Sequence, residues 1–434
     1  MQRLTARRGL FATPLVPLLA IALLGACAAT PDSASTDVQT VIPTATPEHV
    51  GLSSQALNHL DSVLKREVAT GGLPGTIMLV ARHGKVAHFE VNGLRDKEAG
   101  VPMTKDSIFR MASMTKPITS VAIMMLVEEG RIQVGDPASK YLPELKGLQV
   151  GVETKDASGN TVLTRVPARR EFTVQDLLRH TSGLTYGHRG NSSALVRKTY
   201  LDAGEQARDH TNAELITKLS KTVLAFQPGT RWEYGRSTDV LGRIVEVVSG
   251  MTLGQFFEAR IFKPLGMVDT FFNVPADKVA RVAWPMIEPA TGKRPNVTDP
   301  RQPQRFESGG GGLFSTAPDY LRFTTMLLNG GELDGTRLLA PKTIEHMTSD
   351  HLGLVPGSNY PGFGFGLGFA VRTRTGMNDM PGTVGEYLWG GAGGTWFWID
   401  PKEKLVAIFM SQRPGDPRIY YRRLTKNLVA QTLR

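Results

Sequence analysis

The stretch Ser113-Met114-Thr115-Lys116 places a hydroxyl and an amine three residues apart, immediately before an apolar segment. Residues three apart lie on one face of a helix, so the Lys116 amine can reach the Ser113 hydroxyl. Apolar residues at helical spacing continue toward Gly130, a residue type that commonly ends a helix. We therefore predict a buried helix with Ser113 at its opening, where backbone N–H groups favour developing negative charge.

Burial of this helix is expected to desolvate Lys116 partly, which lowers the pKa of an amine toward neutrality. Ser113 is then the nucleophile and Lys116 the base that activates it. The four residues alone also fit a helix cap followed by a surface lysine. Two later segments of the chain separate these interpretations.

The segment Trp232-Glu233-Tyr234-Gly235-Arg236-Ser237 precedes an apolar helix, and Trp389-Gly390-Gly391-Ala392-Gly393-Gly394 precedes a strand. With Ser113–Lys116, they have the order and approximate separations of the three motifs of penicillin-recognising serine enzymes. Over roughly residues 50–430 the chain resembles the serine β-lactamase and penicillin-binding superfamily. Within it, the chain is most similar to the class C β-lactamase-like family VIII carboxylesterases. The resemblance implies an α+β fold, with an antiparallel β-sheet flanked by helices and an inserted, mostly helical region.

The same resemblance implies that Ser113, Lys116 and Tyr234 are catalytic, with Tyr234 passing a proton to the leaving group. A phenol with a pKa of about 10 needs a cationic neighbour to act near neutrality, and Lys116 is the candidate. The implied oxyanion hole consists of the backbone N–H groups of Ser113 and Ala392. The implied substrate-binding residues are Trp389, Gly390 and Gly391.

Two positions depart from the β-lactamase motifs. Arg236 occupies the place of Asn in Tyr-x-Asn, and Trp389 occupies the place of Lys in Lys-Thr-Gly. Loss of that lysine removes the cation that meets a β-lactam carboxylate, unless Arg236 turns into the cleft and replaces it. Trp389 offers an apolar wall with a single N–H donor, which suits a neutral ester.

We therefore expect a serine hydrolase that cleaves carboxylic esters through an acyl-serine intermediate, with a small-molecule ester or β-lactam-like substrate. The alternatives are a weak β-lactamase, a D-Ala-D-Ala peptidase, an acyltransferase or, outside enzymes, a cell-wall-binding sensor. The presence of Ser113, Lys116 and Tyr234 together argues against the sensor. The motifs imply no metal and no cofactor, and no basic run interleaved with aromatics indicates nucleic acid. Nothing in the sequence sets an oligomeric state.

Other candidate residues have structural interpretations beside functional ones. His180 could be a general base, but the family pattern treats its segment as structural. The run Gly309–Gly312 matches no phosphate-binding motif and is expected to form a close-packed turn lining the site. The aromatic residues that fit either an acyl pocket or the core are Tyr186, Tyr360, Phe363 and Phe365.

The 434 residues, 41% of them hydrophobic, are enough for one large mixed domain or two interlocked ones. Strand pairs are predicted over 76–81 with 86–91 and over 395–400 with 405–410, with helical material between them. Strands at both chain ends indicate one sheet built from N- and C-terminal segments. Residues 136–180 carry Pro, Gly and charged turns and are predicted to be loop with short helices.

Residues 1–27 have a basic start, an apolar run and then small residues, which is typical of a secretion signal. The run is too short for a convincing membrane span. Its end, Leu24-Gly25-Ala26-Cys27, resembles a bacterial lipobox, and Cys27 is the only cysteine in the chain. We expect lipidation at Cys27, a flexible tether over 28–47 and a catalytic domain over 48–434.

These N-terminal features predict an exported protein of the bacterial cell envelope, located in the periplasm and anchored to a membrane by its lipid. If Cys27 carries that lipid, Cys27→Ser will move the protein from the membrane fraction to the soluble fraction or block its processing. Fractionation and N-terminal mass spectrometry after bacterial expression measure this. An unmodified N-terminus beginning at another residue contradicts the prediction.

Overall fold

A computed structural model describes residues 42–288, 291–295, 297, 299–356 and 360–434. The predicted secretion signal, with Cys27, lies outside these residues. The strands are β1 (Gly75–Arg82), β2 (Lys85–Asp96), β3 (Val101–Pro102), β4 (Phe109–Arg110), β5 (Val150–Lys155), β6 (Thr161–Val166), β7 (Phe314–Ser315), β8 (Glu332–Leu333), β9 (Thr336–Arg337), β10 (Phe363–Phe365), β11 (Ala370–Arg372), β12 (Tyr387–Gly390), β13 (Trp396–Asp400) and β14 (Leu405–Met410). The α-helices are α1 (Ser54–Ala69), α2 (Thr115–Glu128), α3 (Val174–Leu178), α4 (Ala194–Asp202), α5 (Asn212–Leu219), α6 (Ser237–Ser249), α7 (Leu253–Phe257), α8 (Lys263–Leu265), α9 (Ala317–Leu328), α10 (Pro341–Met347) and α11 (Pro417–Ala430).

The main sheet joins the two ends of the chain, as the sequence predicts. In the described part of the protein it has eight strands in the order β10-β11-β12-β13-β14-β1-β2-β3, and each neighbouring pair is antiparallel. Ile77 of β1 lies opposite Met410 of β14 on one side and Val91 of β2 on the other. All of β1 is buried, so both faces of the sheet centre are covered.

Helices cover this sheet, and most of the chain between its N-terminal and C-terminal strands is helical or loop. Helix α1 packs against β2 and α11, whereas α9 packs against β13 and β14. Helix α2 packs against α6, in the inserted region. This arrangement confirms the predicted α+β fold, an antiparallel sheet flanked by helices.

The segment over residues 136–180 differs from the prediction of loop with short helices. It contains the antiparallel hairpin β5–β6, in which Val150 lies opposite Val166 and Lys155 opposite Thr161. Only Val150 and Gly151 of this hairpin are buried, so its strands lack the continuous buried face that produces the apolar alternation identifying a strand. Main-chain pairing and polar contacts such as the 2.6 Å bond between the Thr154 and Thr164 hydroxyls join the exposed parts of the two strands.

The described end of the predicted tether lies against the sheet. Thr44 forms a β-bridge with Val86, and Pro47–Val50 is a 3₁₀ helix, so the folded part begins before residue 48. None of the described helices is alone both long and apolar enough to cross a membrane; only the bent pair Ser237–Ser249 and Leu253–Leu265 meets that criterion together.

A buried ionic cluster connects α11 to the sheet. Glu386 accepts a 2.7 Å hydrogen bond from Arg372 Nε on β11 and a 2.5 Å bond from Lys426 Nζ on α11. The Arg372 and Glu386 side chains are 1% and 0% exposed. Two cations therefore share this carboxylate in the buried interior.

We predict that Glu386→Gln lowers the free energy of unfolding by about 3–5 kcal/mol, because both cations lose their counter-charge in the interior. The matched control is Glu345→Gln, which breaks an exposed pair with Lys342 and is expected to cost at most about 1 kcal/mol. Urea denaturation of both variants measures the difference. Equal effects would contradict a structural role for the cluster.

Candidate active site

Ser113 lies in a tight turn that leads directly into α2. The turn is the 3₁₀ segment Ala112–Met114, and Ala112 has a φ of 46°, a left-handed conformation that is unusual for alanine. The Tyr320 hydroxyl donates to the Met114 carbonyl at 2.9 Å and holds the turn. Gly130 has a φ of 71° just past the other end of α2, as expected for a helix-ending glycine.

Lys116 points into the protein and is not a surface lysine. The residue is 1% exposed. Its Nζ donates to the Gly310 carbonyl at 2.6 Å, and it lies 3.5 Å from the Tyr186 hydroxyl. It also lies 4.5 Å from the centre of the Tyr234 ring. The structure thus brings the first and second motifs together around one ammonium group.

Tyr234 is the meeting point of the three motifs. Its hydroxyl oxygen is hydrogen-bonded by Ser113 and Lys116. Trp389 Nε1 donates to the same oxygen at 3.3 Å. Burial alone raises the pKa of this phenol, but the Lys116 charge and these hydrogen bonds outweigh burial, so the pKa lies below its ordinary value.

The expected lowering of the Lys116 pKa is wrong. Burial does lower it, but the phenol groups of Tyr186 and Tyr234 and the carboxylate of Asp239 outweigh burial, and the pKa is raised. Lys116 therefore stays protonated near neutral pH. The group suited to accept the Ser113 proton is the Tyr234 oxygen, with Lys116 as the cation that stabilises its phenolate.

The glycine run forms the close-packed turn that the sequence predicts, and it also positions Lys116. Gly310 accepts from Lys116 through its carbonyl, while its N–H donates to Asp239 Oδ1 at 3.0 Å. A Cβ on Gly310 would lie 2.9 Å from the same carboxylate oxygen, so a side chain there requires Asp239 to move. Sequence reasoning missed Asp239, whose only signal is its position one helical turn after Arg236.

Arg236 does not supply a cation to the cleft. Its side chain is 12% exposed and forms ion pairs with Glu205 and Asp239. Its Nη2 also donates to the Glu205 carbonyl at 2.9 Å. Arg236 therefore stabilises the Asp239 carboxylate by an ion pair and does not reach the cleft. It occupies the position where the β-lactamase motif has Asn.

The third motif borders the cleft at the end of β12. The Trp389 ring lies 5.4 Å from the Tyr234 ring, centre to centre. A Cβ on Gly391 would lie 2.3 Å from the Met111 carbonyl, so glycine is required for this close approach. Ser113 and Ala392, the predicted oxyanion-hole residues, both line the same cleft, as does Gly390.

His180 packs behind Tyr234, outside the cleft lining. It is buried, its ring centre lies 4.8 Å from that of Tyr234, and it also contacts Trp232 and Phe365. Burial and the nearby Lys116 charge hold the pKa of His180 well below its ordinary value, so it is neutral. These contacts agree with the expected structural role.

The cleft has a volume of about 430 Å³. Of the four aromatic residues expected in an acyl pocket or the core, Tyr360 lines the cleft, and Tyr186 contacts Lys116 below it. Phe365 packs against Trp389, and Phe363 packs against the Arg372 guanidinium. Sequence reasoning did not identify Arg189 and Arg422, which also line the cleft and belong to no motif.

Comparison with known proteins identifies the family of this chain. The β-lactamase family model matches residues 60–430, and the chain belongs to that family. It is 38% identical over 367 residues to Protein Rv1367c of Mycobacterium tuberculosis, covering 81% of this chain and 89% of that protein. It is 30% identical over 370 residues to Esterase EstB of Burkholderia gladioli, covering 81% of this chain and 89% of EstB.

Among solved structures, the fold is similar to that of EstCE1, a hydrolase with promiscuous acyltransferase activity, with a TM-score of 0.72 and 25% identity. The match covers 86% of this chain and 98% of EstCE1. This chain is therefore a serine hydrolase of the β-lactamase family, with esterases and acyltransferases among its relatives.

We predict that Lys116→Ala and Tyr234→Phe each lower kcat by roughly 10³-fold or more, and that the double variant is little worse. The reason is that the ammonium group and the phenolate act as one unit. The matched control is Tyr420→Phe, a change at a tyrosine that is 53% exposed, which is expected to leave kcat nearly unchanged. Multiplicative losses in the double variant would mean that the residues serve separate steps.

The residual activity of Lys116→Ala provides a second measurement. Without the ammonium group, the pKa of Tyr234 rises, so the phenolate is lost at a higher pH than in the wild-type protein. The acid limb of the kcat/KM profile is therefore expected to move to higher pH. An unmoved limb would show that Tyr234 is not the titrating base.

Proposed function

We propose that this protein is a carboxylesterase that hydrolyses small esters through an acyl-Ser113 intermediate. The observation that carries the proposal is the position of Trp389, whose Nε1 donates to Tyr234 Oη at 3.3 Å. The β-lactamase motif has a cation at this place, whereas the cleft here has an uncharged indole beside the reacting groups. The names of the relatives Esterase EstB and Lovastatin esterase support the same activity.

In the acylation step, the Tyr234 phenolate accepts the proton of the Ser113 hydroxyl while Oγ forms a bond to the ester carbonyl carbon. The negative charge that develops on the carbonyl oxygen is stabilised by the N–H groups of Ser113 and Ala392. The carbon–oxygen bond of the ester then breaks, and Tyr234 gives its proton to the departing alcohol. Lys116 remains protonated throughout and stabilises the phenolate at the start and the end.

Deacylation repeats these transfers with water. Tyr234 accepts one proton from water as its oxygen bonds to the acyl carbon, and the bond to Ser113 Oγ then breaks. The proton returns to Oγ, the carboxylic acid leaves, and the phenolate is restored. An alcohol in place of water gives acyl transfer by the same steps.

The lysine of the β-lactamase third motif meets the carboxylate of a β-lactam, and Trp389 of β12 offers no charge in its place, so a β-lactam meets a less favourable cleft here. Arg236 is held by Glu205 and Asp239, below the cleft. Arg422 lines the cleft, but its Nη2 donates to the Gly391 carbonyl at 2.6 Å, so the main chain already engages this cation. A charge-assisted contact is worth about 1.5–3 kcal/mol, so its loss lowers kcat/KM roughly tenfold to a hundredfold.

We propose further that the enzyme acts in the bacterial cell envelope. Its support is the sequence of residues 1–27, with a basic start, an apolar run and the Leu24-Gly25-Ala26-Cys27 ending. A lipid on Cys27 holds the enzyme at the membrane surface, where the cleft meets substrates in the periplasm.

We predict that kcat/KM for p-nitrophenyl butyrate exceeds that for the cephalosporin nitrocefin by at least about 100-fold, from the missing carboxylate contact. Spectrophotometric assays of both substrates with one enzyme preparation measure the ratio. Trp389→Lys is expected to lower this ratio, because it restores a cation for the nitrocefin carboxylate. Ser113→Ala is expected to abolish both activities.

Equal kcat/KM values for the two substrates would refute the proposed preference for esters, but not the role of Ser113 as the nucleophile. Activity that survives Ser113→Ala would refute the mechanism itself. Faster turnover in the presence of an added alcohol, with formation of the new ester, would identify an acyltransferase.

A further inference from the structure

The lining of the cleft carries more positive than negative charge. Its charged residues are the arginines Arg189, Arg418, Arg422 and Arg423 and the acids Glu233 and Asp379. Asp379 pairs with Arg423 at 3.1 Å, and Glu233 is a buried acceptor for main-chain N–H groups. Both acids are therefore occupied by groups of the protein, and neither one offsets the remaining arginines.

Arg189 differs from the other arginines of the cleft in what it contacts. Arg418 donates to the Gly415 carbonyl, and Arg422 donates to the Gly391 carbonyl. Arg189 is exposed, and within the described ranges it forms no ion pair. Its guanidinium carbon lies 4.6 Å from the centre of the Tyr186 ring and 5.8 Å from that of the Tyr234 ring.

The chain on both sides of Arg189 is fixed by buried carboxylates. The Gly187 N–H donates to Glu205 Oε1 at 3.0 Å, and the Asn191 N–H donates to Glu233 Oε1 at 2.8 Å. The cation–π contact with the Tyr186 ring, 4.6 Å from its centre, then restrains the guanidinium group. The cation is thus held beside the reacting groups before any substrate binds, which reduces the entropy lost on binding.

We propose that Arg189 binds a carboxylate carried by the alcohol part of the ester, and so selects anionic esters. This inference rests on the esterase function proposed above. Tyr234 gives its proton to the departing oxygen, so this oxygen lies next to Tyr234. The rest of the alcohol then extends past the Tyr234 ring, and Arg189 lies 5.8 Å from the centre of that ring. Trp389 contacts Tyr234 as well, 5.4 Å between ring centres, and supplies the uncharged wall. An ester whose carboxylate lies several bonds beyond the ester oxygen can reach Arg189.

The test compares 3-acetoxybenzoate with its neutral counterpart 3-acetoxybenzamide, which share an acetyl group and differ in the charge of the alcohol. The wild-type enzyme is expected to prefer the anion by roughly three- to tenfold in kcat/KM, the range for an ion pair in a partly open site. Arg189→Gln is expected to reduce this ratio to about one. Arg189→Lys is expected to retain part of it, because the charge remains but the bidentate guanidinium group is lost.

The matched control is Arg169→Gln, which removes one charge from an exposed arginine outside the cleft lining and is expected to keep the wild-type ratio. Raising the salt concentration is expected to lower the ratio in the wild type and not in Arg189→Gln. An unchanged ratio in Arg189→Gln, or no preference in the wild type, overturns the inference. Failure to hydrolyse even the neutral ester instead overturns the proposed esterase function.

Discussion

A lysine ammonium that is 1% exposed loses nearly all of its hydration, which costs several kcal/mol unless protein groups replace the water. For Lys116 the replacements come from segments far apart in the chain. They are the Gly310 carbonyl, the Tyr186 and Tyr234 phenols, and the Asp239 carboxylate. The position of these segments around α2 follows from this requirement, because removing any of them leaves a cation in the interior without full compensation.

The compensation extends below the cleft, where charges alternate from one side chain to the next. Asp239 faces Lys116 through the Gly310 peptide, Arg236 pairs with Asp239, and Glu205 pairs with Arg236. Glu205 also accepts from the Gly187 N–H, which fixes the chain just before Arg189. An arginine at position 236 is therefore compatible with the site, since this sequence provides two buried carboxylates to receive it.

The sequence was sufficient where local spacing determines the structure, and insufficient where distant groups do. The three-residue spacing of Ser113 and Lys116 and the terminal strand pairs predicted the helix, the sheet and the meeting of the motifs. The protonation of Lys116 could not be predicted, since it depends on Asp239 and Tyr186, which no motif connects to it. The hairpin β5–β6 was missed because its strands are buried only at Val150 and Gly151, so polar and apolar residues do not alternate along them. Arg189 lies in a loop, where no periodicity indicates which way a side chain points.

Two residues on different sides of Tyr234 have different roles: Trp389 on β12 affects the basicity of the phenolate, and Arg189 on the loop recognises the substrate. Trp389 keeps the β12 wall uncharged, and its N–H adds to the stabilisation of the phenolate without introducing a second cation next to Lys116. A lysine at position 389 would place like charges on both sides of one phenol, so it would lower the pKa of Tyr234 further and weaken it as a base. Arg189 lies on the loop wall, exposed to solvent, where its charge perturbs the phenol less. A cation can therefore recognise substrate from the loop while the uncharged β12 wall leaves Tyr234 basic enough to activate Ser113.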